Sequence, residues 1–268
     1  MQERIPTYQK ARIKIIQKKS EWKKFFYGAG DMVSFAGRFF REVFRPPYEW
    51  KEIFYQCYLV GYKSTFLIGL TGFIMGVVMT IQSRPSMAAF GAVSMIPGMV
   101  TVSLVREIGP VITALICSGN IGSRMGAELG SMRVTEQIDA MEVSAINPFR
   151  YLVVTRVLAT TLMIPLLSIF SDAIGLVGGY AAMNIHDSMS FRHFFMAGLA
   201  HLEFIDVIPA LIKSVFFGFV VGIIGCYKGF HASRGTESVG IAANSAVIAA
   251  SLAVFVLDML AAQITDLL

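Results

Sequence analysis

The chain has few of the residues from which catalytic and metal sites are built. Its three cysteines, Cys57, Cys117 and Cys226, are scattered through apolar stretches without metal-ligand spacing, so we expect neither a metal site nor a disulfide. The sequence lacks the GxxxxGK[ST] pattern of a phosphate-binding loop and also lacks a nucleophile elbow. We therefore expect no catalytic residue, metal or cofactor in this chain, and no ATP hydrolysis by the P-loop route.

What the chain has in abundance is apolar sequence. Apolar residues make up 55% of its 268 positions and the mean hydropathy is +0.62, values typical of a polytopic membrane protein. At about 20 residues per crossing, five or six crossings fit. This leaves no room for a separate soluble enzymatic domain.

Positive charge is concentrated near the N-terminus. Residues 1–63 contain thirteen Lys or Arg against six Asp or Glu. Such an excess could indicate nucleic-acid binding, but the apolar runs that follow favour the positive-inside rule, with no nucleic-acid partner. We predict a basic cytoplasmic segment over 1–30, facing anionic headgroups. No apolar core closely follows the first charges, so we expect no cleaved signal peptide.

Residues 31–63 have the pattern of a membrane-surface segment. Phe35, Phe39 and Val43 share one helical face, which arginines border, and this is typical of a helix lying in the membrane interface. An aromatic connector follows between Trp50 and Tyr62, at the predicted headgroup level. The alternative is a helix packed on the protein's own core, and the two can coexist.

The remaining residues, 64–268, are predicted to form an all-α transmembrane domain. The first crossing is expected to end at Arg84-Pro85, and 86–96 to be an outer loop or re-entrant piece. Residues 183–204 are expected to form an outer loop. Five crossings place the C-terminus outside, and their predicted ranges are 64–83, 97–120, 151–182, 205–227 and 239–265.

A charged stretch separates the second and third predicted crossings. After Gly130, an amphipathic helix is predicted over 131–146, with Asn147-Pro148 ending it. Its apolar stripe consists of Val134, Ile138, Met141 and Ala145, and its acidic face of Glu136, Asp139 and Glu142. We interpret it as a cytoplasmic docking helix, although a connecting loop that happens to be helical would have the same pattern.

Several of these stretches resemble one family. Residues 106–111 read REIGPV, residues 127–142 read AELGSMRVTEQIDAME, and Asn147-Pro148 follows. With further matches to the C-terminus, this is similar to the MlaE permease family, the membrane subunits of ABC transporters that move phospholipids between the two membranes of Gram-negative bacteria. The resemblance implies a homodimer in the inner membrane, with phospholipid as substrate.

The same resemblance implies partners. A separate cytoplasmic ATPase would bind ATP and Mg²⁺ and signal through the helix over 131–146. A hexameric periplasmic MCE-domain protein would bind the outer face, and a small STAS-domain protein often attaches to the ATPase. The residues assigned to ATPase coupling are Glu128, Arg133, Thr135, Glu136, Asp139 and Glu142.

Five ionisable residues fall within the predicted crossings, and each is a functional candidate because charge at membrane depth is costly. Arg106 and Glu107 are the strongest pair, since Pro110 cannot donate to the carbonyl of Arg106 and should kink the helix there. An arginine beside a free carbonyl could bind a lipid phosphate. The alternative is plain pairing with neighbouring helices, and the family resemblance favours a lipid cavity.

The other three residues, Asp172, Lys213 and Asp258, lie at similar predicted depth, within roughly 5 Å at 1.5 Å per residue. An intramembrane charge cluster that holds the bundle together is favoured over a proton relay.

A lipid cavity is predicted at the dimer interface, open to the outer side. Acyl chains would lie against soft apolar side chains, since methionine repacks readily around ligands of different shape. Arg106 and Glu107 would place the headgroup, and the remaining predicted lining residues are Met79, Ser86, Met87 and Phe90.

Two other functions stay open on the residues alone. One is a secondary transporter driven by an ion gradient, with Asp172, Glu107 and Asp258 as a relay. The other is a membrane anchor for a periplasmic complex that transports nothing itself. The first would need no ATPase, and the second would tolerate charge changes within the crossings.

Overall fold

The computed structural model describes residues 28, 30–46, 48–185, 188–233 and 235–266. The chain divides into two units, Met1–Pro46 and Pro47–Leu268. In the first unit the described helix is α1, residues 30–43. Phe35 and Phe39 are buried, whereas Phe40 and Phe44 are exposed. A helix is therefore present where the apolar pattern predicts one, and its placement in the membrane interface stays a prediction.

The second unit begins with a 40-residue helix, α2, Trp50–Ala89. It extends well beyond the predicted crossing at 64–83 in both directions, so the aromatic connector is helical. Pro85 does not end it: the helix continues for four residues beyond the proline, although the ring has no N–H to donate to the carbonyl oxygen of Ile81.

The second span is helical from Val93 to Val134 and longer than predicted. A 3-10 turn, Val93–Met95, leads into α3, Ile96–Ser103; α4, Gly109–Cys117, and α5, Ser123–Val134, follow. Between these helices lie two π-helical segments, Leu104–Ile108 and Ser118–Gly122. Pro110 is the second residue of α4 and follows the first π segment almost directly. The irregular backbone that we predicted as a kink near Pro110 is this π segment, Leu104–Ile108.

The predicted single helix over 131–146 is wrong. Helix α5 continues through Gly130 to Val134, and the chain turns at Glu136, whose φ is 60°. A short helix α6 then covers Gln137–Val143. A Cβ added to Gly130 would lie 3.5 Å from Ala232, an ordinary van der Waals contact, so this glycine neither breaks the helix nor is required for its packing.

Four further helices follow in the described part of this unit. A π segment, Phe149–Val154, opens the third span and continues into α7, Thr155–Met183. The predicted outer loop contains α8, Phe191–Ala200, capped by Ser190 Oγ, which accepts from the backbone N–H of His193 at 3.3 Å. The last two spans are α9, Phe204–Phe230, and α10, Thr236–Asp266. Within the described ranges, five helical stretches are long and apolar enough to cross a membrane, which confirms the all-α membrane fold.

Small residues let α2 and α7 pack at very short range. Gly72, Gly76 and Thr80 on α2 face Ser171, Gly175 and Gly179 on α7, at four-residue spacing on both helices. A Cβ added to Gly76 would overlap the carbonyl oxygen of Gly175. Close backbone approach of this kind is how membrane helices associate without a hydrophobic driving force.

The remaining packing places the second span inside the bundle. Helix α9 packs against α7, α5 and α10, and α3 packs against α8. A cluster of fully or nearly fully buried side chains closes the end of the bundle away from α6, and it consists of Ile96, Val100, Leu104, Leu176, Met183 and Phe194.

Candidate functional site

The π segment Leu104–Ile108 directs two adjacent charged side chains toward α9. Lys213, on α9, lies with its Nζ 2.6 Å from Glu107 Oε2 and 3.2 Å from Asp258 Oδ1 on α10. The Lys213 side chain is only 5% exposed, against 41% for Glu107 and 23% for Asp258. One buried ammonium therefore joins three spans through two carboxylates.

Arg106 faces a different carboxylate on the same helix. Its Nη1 lies 3.9 Å from Asp206 Oδ1, in the first turn of α9. Asp206 is oriented by a capping box, because its Oδ2 accepts from the backbone N–H of Glu203 at 3.2 Å. Asp206 was not among the predicted site residues, although the E-x-x-D spacing at 203–206 is a readable capping signal.

The predicted cluster of three charges comes together only in part. Lys213 and Asp258 are in contact, and Glu107 takes the place predicted for Asp172. Asp172 Oδ1 is buried against the backbone of Gly109, and it has no hydrogen-bond partner in the part of the chain that the structure describes. Asp172 lies on α7, and no ion pair links it to the Lys213 cluster.

An apolar pocket lies between the end of the first span and the start of the second, on the side away from α6. Its volume is about 590 Å³, and Met87, Phe90, Met95 and Met99 contribute to its lining, with His201 as a polar group. The Nδ1 of His201 is 2.8 Å from the carbonyl oxygen of Ala197. The pocket thus combines a flexible thioether lining with one polar ring.

The predicted cavity and this pocket overlap only in two residues. Met87 and Phe90 line the pocket, whereas Ser86 is exposed outside it and Met79 packs on the buried cluster around Leu104. Arg106 and Glu107 do not line it, although Ser103, one turn before Arg106, does. The prediction grouped residues by position along α2 and could not separate the faces of that helix.

The residues predicted to couple to an ATPase serve two different purposes in the fold. Glu128 lies 3.4 Å from Arg124 and 3.5 Å from the buried Arg156, so it ties α5 to α7. Arg133 and Asp139 form an ion pair across the turn between α5 and α6.

The outer surface of α6 is acidic with exposed apolar residues. Ile138 is fully buried and holds the helix against the bundle, whereas Val143 is 91% exposed and Ile146 48% exposed. Glu136, Asp139 and Glu142 are exposed beside them, and Thr135 closes the preceding turn by donating to the carbonyl oxygen of Ser131 at 2.8 Å. We call residues 136–146 the α6 surface.

Comparison with known proteins assigns this architecture. Residues 53–264 match the family Permease MlaE. The chain belongs to the MlaE permease family. It is 34% identical over 245 residues to a protein of Rickettsia typhi described as a probable ABC transporter permease protein, covering 91% of this chain and 93% of that one.

Two further relatives broaden the comparison. A protein of a Synechocystis species with the same description is 36% identical over 201 residues, covering 75% of this chain and 76% of its own. The chloroplastic protein TRIGALACTOSYLDIACYLGLYCEROL 1 of Arabidopsis thaliana is 28% identical over 241 residues, covering 89% and 69%.

Membership in this family settles the general role of the chain. It is a multi-pass membrane protein and a permease of an ABC transporter, and such a permease works with a partner ATPase. Among the described residues, no group of three His, Cys, Asp or Glu side chains could hold a metal ion.

Proposed function

We propose that this permease moves phospholipids between the inner membrane and the periplasm, as a homodimer driven by a separate ATPase. The observation that supports this most is the methionine-rich pocket of about 590 Å³ at one end of the bundle of an MlaE-family permease. Its lining suits acyl chains, since long flexible thioethers adapt to ligands of different length. The name of the Arabidopsis relative, which is that of a glycolipid, supports a lipid substrate.

The ion pairs of Arg106 and Glu107 lie beside the pocket, and their partial exposure suits a protein that changes conformation during transport. Arg106 and Glu107 are both about two-fifths exposed while their partners on α9 are mostly buried. A permease dimer that encloses lipid between its protomers would use such half-exposed charges at the headgroup. Arg106 can offer a phosphate two parallel N–H donors.

The α6 surface is where we place the ATPase. Three acidic residues surround two exposed apolar side chains, Val143 and Ile146, and this combination suits a basic groove with an apolar floor. ATP and Mg²⁺ would bind to the partner only. A hexameric MCE-domain protein on the opposite face, and a STAS-domain protein on the ATPase, complete the proposed assembly.

The test is site-specific photo-crosslinking in the assembled complex. A crosslinking residue at position 87 or 90 should capture phospholipid, and ATP turnover should change that capture. Position 169, an exposed residue of α7, serves as the control, with less capture and no response to ATP.

Equal and ATP-independent capture at all three positions would show that the cavity is elsewhere. Lipid transfer that proceeds without the ATPase and collapses with the proton gradient would favour the secondary transporter. No lipid transfer in any reconstituted complex would favour the membrane anchor.

A further inference from the structure

A second groove lies on the flank of the bundle, between α2 and α7. Its volume is about 730 Å³. Most of its lining comes from α2 between Tyr62 and Leu70, and α7 contributes Phe170 and Ile174. Leu70 precedes Met87 by 17 residues, about 25 Å along a regular helix, so this groove is separate from the pocket described above.

The groove reaches the level at which a bilayer's hydrocarbon begins. Residues 64–83 contain no charged side chain, and Lys63 and Arg84 flank them. The 21 helical steps from Lys63 to Arg84 span about 32 Å, close to the hydrocarbon thickness of about 30 Å. Lys63 therefore lies near one plane of lipid phosphates. That plane is on the α6 side, because Tyr151 OH, just after α6, lies 3.5 Å from Glu52 Oε2 in the first turn of α2.

Lys63 differs from three other cations of the bundle in having no carboxylate partner among the residues that the structure describes. Lys213, Arg106 and Arg156 each contact a carboxylate. Lys63 is exposed, and no ion pair or hydrogen bond from its ammonium group is found across the described ranges. Its three N–H donors thus lie beside an apolar groove at headgroup level, and no acceptor for them is found within the described part of the chain.

The walls of the groove suit an acyl chain below a headgroup. Phe66 is 81% exposed and Leu70 47% exposed. Gly69 keeps the groove open between them, because a Cβ there would come within 3.1 Å of Phe170 Cε1. On the headgroup side, the rings of Tyr58 and Tyr62 stack with centroids 5.4 Å apart, and aromatic residues of this kind favour the interface.

We propose that this groove binds one anionic phospholipid of the leaflet on the α6 side. The phosphate lies on the Lys63 ammonium group, and one acyl chain lies along Phe66 and Leu70 against Phe170. Phosphate attraction fixes the headgroup while the apolar walls select a lipid over a soluble anion. The site is independent of the proposed function, because its occupant is bound from the surrounding leaflet and is not the transported molecule.

The experiment places a photo-crosslinking residue at position 66 in nanodiscs of phosphatidylcholine with a minority of phosphatidylglycerol. The captured lipid should be enriched in phosphatidylglycerol about fivefold over the bilayer composition, the effect expected of one lysine at a membrane surface. Position 67, exposed on α2 outside the groove, should capture the bulk composition. If the lipids captured at positions 66 and 67 have the same composition, the proposal is wrong.

Three variants test the role of the ammonium group, with capture at position 66 as the readout. Lys63→Gln should abolish the enrichment, and Lys63→Arg should retain it. Lys51→Gln, which removes an exposed lysine twelve residues earlier on the same helix, should leave it unchanged. Enrichment that survives Lys63→Gln, or that Lys51→Gln also abolishes, rules out a specific site at Lys63.

A final arm separates a lipid site from a free phosphate site. Millimolar glycerol phosphate should leave the enrichment at position 66 intact, since it lacks acyl chains to occupy the groove. Loss of enrichment would assign the site to soluble phosphate and overturn the lipid proposal. Failure of transport in the assembled complex would leave this result unaffected, so the two proposals are tested separately.

Discussion

At the scale of single residues, one lysine shared by two carboxylates joins three spans of this permease. A charged side chain deep in a membrane helix costs about 2.5–3.5 kcal/mol, and the contacts from Lys213 to Glu107 and Asp258 offset that cost. Similar depth on α9 and α10 was enough to predict the contact with Asp258. The contact with Glu107 could not be read from the sequence, because it depends on which way the π segment turns its side chains.

Removing Lys213 should therefore destabilise the bundle. Lys213→Ala leaves two carboxylates without their cation, and breaking a buried pair costs about 3–5 kcal/mol. We expect a lower melting temperature in detergent, with partial recovery when Asp258→Asn is added and fuller recovery when Glu107→Gln is added as well.

Asp172 provides the matched control for that series. It lies at similar predicted depth but outside the Lys213 cluster, so Asp172→Asn should not rescue Lys213→Ala. Rescue by Asp172→Asn, or none by the other two changes, would contradict the ion-pair account.

At the scale of helices, α2 and α7 associate through backbone contact. The small residues at four-residue spacing are visible in the sequence of each helix. The sequence does not show that the small residues of α2 pack against those of α7. Their close approach places Gly76 directly on Gly175.

Substitution of Gly76 should force these two helices apart. Gly76→Ala places a methyl group on a carbonyl oxygen, and overpacking of this kind costs about 1–3 kcal/mol. Thermal unfolding in detergent should report the loss. Gly240→Ala on α10 is the control, because nothing lies within 4 Å of the added Cβ; equal effects of the two changes would argue against close packing of α2 and α7.

The link between the second and third spans shows where helical periodicity misleads. Residues 131–146 have a continuous apolar stripe, yet the chain turns at Glu136 in a left-handed conformation. Helical periodicity indicates which residues could share one face of a helix. It does not indicate that a single residue, here Glu136, adopts a positive φ. Ile138 is buried in the structure, whereas Ala145, from the same stripe, is exposed.

Charge reversal on the α6 surface should uncouple the permease from its ATPase. Glu136→Lys with Asp139→Lys replaces two acidic residues with lysines, which a basic partner groove would repel, so co-purification of the ATPase and lipid transfer should both fall at least about tenfold. Arg133→Ala is the comparison for loss of the ion pair alone, since it breaks the contact to Asp139 but keeps both carboxylates, so ATPase association should fall less than in the double variant. Normal association and transport in the double variant would remove the docking role.

At the scale of the whole molecule, the five long apolar helices of the described chain and their order follow from the lengths and positions of the apolar runs in the sequence. This works because the thickness of the bilayer sets the length of each run. The ends of the spans were less predictable. Helix α2 continues far beyond its apolar run, and α8 forms within a stretch predicted as loop.

The orientation of the bundle can be tested by labelling single cysteines. With Cys57 replaced, an impermeant maleimide should label a cysteine at position 188 in right-side-out vesicles and one at position 144 only in inverted vesicles. Both positions are exposed in the structure. The reverse pattern would place the α6 surface outside and exclude a cytoplasmic ATPase there.

The two π segments of the second span bracket α4 on both sides. Each contains one residue more than a regular α-helical turn accommodates. One inserted residue displaces the side chains that follow it by about 100° around the helix axis. The direction in which Arg106 and Glu107 face therefore depends on the first π segment, and removing its extra residue would separate this pair from its partners on α9.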